Sequence, residues 1–172
     1  MQSKLLLVLL AALILFYFVF VEHVFETVSF DTGLEKIKEA DKDFAGNNLV
    51  PQQAEELKEY NIKLINLEKE FSEKKQNDNA KALLLLVKTR KELVVMQLNL
   101  IEIQESTGCE EQIETMDSVI SSAESARKTI QEYIDKYSVF AEETAEWNTN
   151  VLDTTLSIIT SFRELKDLRG SC

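Results

Sequence analysis

The hydrophobic pattern divides the chain in two. From Leu5 to Val21 every position is apolar, and Val24 and Phe25 extend the stretch. As a helix it covers the ~30 Å hydrocarbon thickness of a bilayer at about 1.5 Å per residue. Beyond it, apolar residues recur three and four positions apart between charged ones, the mark of amphipathic helices. The expected fold is therefore all-α: one N-terminal transmembrane helix followed by an antiparallel up-down four-helix bundle. The alternative is a two-helix hairpin followed by a long coiled-coil rod.

The first region, residues 1–25, reads as a cytoplasmic tip and a signal-anchor helix. Lys4 precedes it, Leu5 opens it, and Tyr17, Phe20 and Phe25 belong to an aromatic cluster toward its far end. A signal-peptidase site needs small residues at alternate positions after the apolar run. Bulky residues from Phe16 to Val21 occupy that place, so the anchor is expected to stay uncleaved. Lys4 lies before the span and Glu22, Glu26 and Asp31 after it. That asymmetry places the N-terminus in the cytoplasm and the remainder in an extracytoplasmic compartment of a single-pass cell-membrane protein.

Residues 26–48 read as a short amphipathic stalk. A helix starting at Asp31 or Thr32 would put Leu34, Ile37 and Phe44 on one side and end at a hinge of Gly46, Asn47 and Asn48. Pro51 would open the bundle, because a missing N–H costs nothing in a helix's first turn. The bundle, residues 49–172, is expected to hold helices over about 51–75, 80–106, 110–137 and 140–169. In the first, Ala54, Leu57, Leu64, Leu67 and Phe71 form one stripe, and the polar run from Gln76 to Asn79 turns the chain into an antiparallel neighbour. The second is apolar on more than one face and should be the most buried. Its charged break from Lys88 to Glu92 argues against a second span.

The last sixty residues carry a heptad from Ile113 through Met116, Ile120, Ala123, Arg127, Ile130, Ile134 and Tyr137, and again at Thr144, Val151, Ile158, Phe162 and Leu165. Between them the pattern slips, with Phe140 and Trp147 one residue out of register. A turn near Ser138 would explain the slip, although no Gly or Pro marks it. It would also bring the only two cysteines, Cys109 and Cys172, to one end of the bundle. In an extracytoplasmic setting they are disulfide candidates. The bond would close a loop of about 60 residues and contribute up to about 4 kcal/mol in the chain-entropy model. Two free or intermolecularly paired thiols are the competing reading.

Composition narrows the function. Four Gly and one Pro leave little room for β turns, and a formal charge of −11 repels nucleic-acid phosphates and anionic headgroups. The single His, His23, borders the expected membrane, so no metal or cofactor is expected. No P-loop, Gly-x-Gly-x-x-Gly or Gly-x-Ser-x-Gly occurs, and no catalytic residue stands out, so no enzyme is expected. Arg127, on the heptad seam, reads as a snorkelling side chain at a bundle edge, the alternative being a buried charge that tunes register, and Trp147 and Tyr137 read as packing. The expected function is a membrane-anchored helical scaffold or adaptor that engages other proteins, or a second copy of itself, through its helix faces, with the lipid bilayer as its other partner. The alternative is an extracytoplasmic sensory or ligand-binding bundle. The general shape resembles chemoreceptor-type sensory domains, which use a second span to carry their signal inward.

Overall fold

A computed structural model describes residues 27–42 and 54–169. Six α-helices account for almost all of them, with no strand among the described residues: α1 (Phe30–Lys42), α2 (Ala54–Glu73), α3 (Asp78–Glu105), α4 (Cys109–Lys136), α5 (Ser138–Glu143) and α6 (Ala145–Arg169). The fold is all-α. The expected anchor, from Lys4 and Leu5 to Phe25, and the expected hinge at Gly46 and Pro51 lie outside the described residues. No helix among the described residues is long and apolar enough to cross a membrane.

Local chemistry sets the boundaries. The Ser29 hydroxyl accepts from the Thr32 N–H at 3.2 Å, an N-terminal cap that starts α1 at Phe30, slightly before the expected Asp31. The Asn77 side chain caps α3 in the same way, accepting from the Ala80 N–H at 2.9 Å. The turn between α4 and α6 is built without Gly because none is needed. Tyr137 (φ −128°, ψ 46°) and Thr144 (φ −116°, ψ 16°) break the helix at negative φ, which any side chain tolerates. The Tyr133 hydroxyl lies 3.1 Å from that of Thr144, and the Asn148 amide donates to the Ala141 carbonyl at 3.1 Å, which fixes the corner.

The chain therefore reverses instead of running on as a rod. Along α4 and α6, Arg163 pairs with Glu124 and Lys166 with Asp117, so the two helices lie antiparallel. The long helices pack in chain order, α2 on α3, α3 on α4 and α4 on α6, while α1 lies against both α2 and α3. Contact between α2 and α6, which would close a four-helix ring, is not among these extensive pairings. Two cores result. The larger draws on all six helices and includes Leu34, Ile37, Leu64, Phe71, Leu83, Ile130, Tyr133 and Val151. The smaller, toward the Cys109 end, joins α3, α4 and α6 through Met96, Val119, Ile120, Ala123 and Ile159. α3 was expected to be the most buried helix, but α3 and α4 each bury ten residues, because α4 also lies between two long neighbours.

The segment read as a stalk contributes α1, whose Phe30, Gly33, Leu34, Ile37 and Ala40 are buried. The Phe30 ring stacks on Phe140 of α5, with centroids 4.3 Å apart, and the Asn79 amide donates to the Val28 carbonyl at 3.1 Å. Contact with α3 is closest at Gly33, where an added Cβ would lie 2.2 Å from Leu83 Cδ1, on a side chain with no exposure. Alanine gains about 1 kcal/mol of helix propensity over glycine, but overpacking costs about 1–3 kcal/mol. Gly33→Ala should thus lower stability by about 1 kcal/mol net, seen as an earlier urea midpoint at unchanged m-value. A later midpoint would show that α1 does not press on Leu83.

Candidate functional site

Two features concentrate chemistry, one inside the helices and one outside. The inner one is Arg90, 6% exposed on α3. Its Nε donates to Asp41 Oδ1 at 2.9 Å and Oδ2 at 3.1 Å, its Nη2 to Oδ2 at 2.7 Å, and its Nη1 to the Leu86 carbonyl at 3.3 Å. The Trp147 ring of α6 covers the guanidinium, 3.9 Å from Cζ to the ring centroid. The Tyr60 hydroxyl of α2 donates to the same carboxylate. A buried cation is tolerated only when paired and hydrogen-bonded, and here both conditions hold. Because carboxylate, carbonyl and ring already take up the guanidinium, this cluster is a lock between α1, α2, α3 and α6 and not a ligand site. Burial pushes the Tyr60 hydroxyl well above the ordinary tyrosine pKa; Arg90 opposes the shift and Asp41 reinforces it.

The outer feature is a groove of about 760 Å³ on the surface of α2, α3 and α4. Ile65, Glu68, Lys69 and Ser72 of α2 recur at three, four and seven, as do Lys81, Leu84, Leu85 and Lys88 of α3. Each set is therefore one helix face. Glu132, Lys136 and Tyr137 at the end of α4 complete the wall. The floor is apolar, and Ile62, 59% exposed, continues the strip past Ile65, itself 45% exposed. The rim is charged. Lys91 holds Glu68 at 2.6 Å and Lys136 holds Glu132 at 2.8 Å. The Lys136 ammonium, with a smaller contribution from Lys88, keeps the Glu132 carboxyl below the usual carboxylate range. Lys81 and Lys88 have no ion-pair partner among the described residues.

A smaller hollow, about 330 Å³, lies at the α4–α5–α6 corner against Ile134, Ala141, Glu142 and Asn148. The Asn148 Oδ1, on a residue 4% exposed, has no hydrogen-bond partner among the described residues. Of the residues singled out by sequence, Arg127 is half-buried and donates through Nη1 to the Leu152 carbonyl of α6 at 2.6 Å, bridging helices instead of only snorkelling. Cys109, the first residue of α4, is disulfide-bonded; Cys172, with which the sequence reading pairs it, lies outside the described residues. No group of three or more metal-ligating side chains lies together among the described residues.

Sequence reasoning missed the Arg90 lock, because Arg90 was read only as part of the charged break from Lys88 to Glu92. A usable signal existed: Leu83, Val87, Arg90, Val94 and Gln97 follow a heptad seam, so Arg90 and Gln97 stand where apolar residues belong. The groove was missed because its residues look like an ordinary solvated face until α4 walls them in.

Two stability measurements test the lock. Arg90→Met leaves the Asp41 carboxylate, 25% exposed, without its cation and should cost about 3 kcal/mol; adding Asp41→Asn should recover part of that loss. Additive losses would show that the pair is not coupled. The neutral Tyr60 hydroxyl contributes stability that is complete below the ordinary tyrosine pKa of 10.0 and is lost as pH rises above it, since the unfolded chain ionises first. Tyr60→Phe should shrink that alkaline loss, although buried Tyr133 contributes a shift of the same sign. Equal alkaline slopes in the two proteins would refute the assignment. Comparison with family models, with curated proteins and with solved structures finds no match for this chain, so its function is argued from these residues alone.

Proposed function

We propose that this chain is a single-pass membrane-anchored helical scaffold or adaptor whose extracytoplasmic helices engage protein partners. The observation that carries the reading is an apolar strip on the adjoining faces of α2 and α3, made of exposed Ile62 and Ile65 and half-buried Leu84 and Leu85. Contiguous exposed apolar surface with a polar rim is characteristic of interaction sites, and grooves between helices accept amphipathic helices. The expected four-helix bundle enters this proposal as α2, α3, α4 and α6, whose outer face stays available while the Arg90 lock holds the inner one. The chain acts by binding, not by catalysis. The alternative, a sensory or ligand-binding bundle, has one observation in its favour, the corner hollow with the unpartnered Asn148 Oδ1.

The test is photo-crosslinking in intact cells, with a photoreactive residue at Ile62 or Ile65 and, as control, at exposed Asp153 on α6. Discrete protein adducts are expected from the two groove positions and not from the control. Adducts that are absent, or identical at all three positions, would defeat the adaptor reading.

A further inference from the structure

We infer that the groove between α2, α3 and α4 takes an acidic amphipathic helix of a partner protein, an inference that rests on the adaptor reading and specifies its ligand. The chain as a whole has 30 acidic against 19 basic residues, yet the groove is lined by four lysines and two glutamates. Both glutamates are already neutralised, Glu68 by Lys91 and Glu132 by Lys136. What faces a ligand is therefore an apolar floor with Lys81 and Lys88, which no carboxylate among the described residues pairs.

Their spacing defines the ligand further. Lys81 and Lys88 are seven residues apart on one helix, two turns or about 10 Å, with Leu84 and Leu85 between them. A partner helix lying along α3 meets this row with carboxylates at i and i+7 and apolar side chains at i+3 and i+4. Such a helix buries its apolar stripe on Ile65, Leu84 and Leu85 while each carboxylate reaches one lysine. A fatty acid also joins an apolar body to a carboxylate, but a single carboxylate satisfies one lysine and leaves the other. The remainder of the acidic surface repels acidic ligands, so the lysine pair selects where such a helix docks.

The probe is a labelled synthetic peptide of about four helical turns with Glu at i and i+7 and Leu at i+3 and i+4, alongside its twin with Lys in place of Glu. Fluorescence anisotropy with the full chain should show the acidic peptide binding at least about tenfold tighter than the basic one. Joint replacement Lys81→Glu and Lys88→Glu should weaken the acidic peptide roughly tenfold, and salt should weaken it in the unmodified chain. Both lysines are exposed, so the variant keeps its fold, which circular dichroism checks. Equal affinity for the two peptides, indifference to the charge reversal, or palmitate binding more tightly than the acidic peptide overturns the inference. So does a groove already closed by a second copy, seen as a dimer that Ile65→Asp dissolves. Crosslinked partners at Ile65 that are unaffected by the lysine reversal would overturn this inference and leave the adaptor reading standing; absence of any adduct would remove the adaptor reading itself.

Discussion

One buried guanidinium constrains where four of the six helices can sit. Burying the Arg90 guanidinium of α3 without Asp41 would leave an unpaired charge in the core, so α1 lies with its last turn beside the middle of α3. Tyr60 adds α2 to the same carboxylate, and Trp147 seals the other side from α6. Apolar packing alone tolerates sliding between helices, since many registers bury similar area. A forked donor set that must meet two carboxylate oxygens does not. The lock thus selects a register among helices that hydrophobic burial has already gathered, and the close approach of Gly33 to Leu83 follows from it.

Away from the lock the structure is simpler. The Cys109 end is a three-helix arrangement with its own small core, aligned by exposed pairs such as Lys166 with Asp117. Exposed pairs contribute at most about 1 kcal/mol each, so there they favour a register more than they stabilise it. The disulfide at Cys109 belongs to this thinner end, where covalent closure matters most.

How much of this was legible in the sequence follows from the range of each interaction. Helix content, the polar turn before Ala80 and the reversal near Ser138 all leave local marks in periodicity or capping chemistry, and each has its counterpart in the helix boundaries. The out-of-register positions were informative for a reason that periodicity could not supply. Phe140 and Trp147 leave the heptad where they contact α1 and α3, as the Phe30 stack and the Arg90 cover show. Asp41 and Arg90 are 49 positions apart, and neither carries a local sign of the other. The groove is likewise a product of tertiary assembly, since three solvated-looking faces become one concave surface only when the helices are side by side.

The two charged features also explain each other. An all-helical chain with a large acidic excess could place its lysines anywhere, and several form pairs along or between helices. On α3, Arg90 faces inward and is fully engaged, whereas Lys81 and Lys88 face outward on either side of Leu84 and Leu85. The same helix thus presents one cation to the core, pairs Lys91 with Glu68 and turns Lys81 and Lys88 to solvent. If the outer pair served solubility, an acidic chain would gain more from carboxylates at those positions. Lysines flanking half-buried leucines beside the exposed Ile65 reduce local repulsion just where apolar surface is open, and that combination favours an approaching anionic, apolar partner over water.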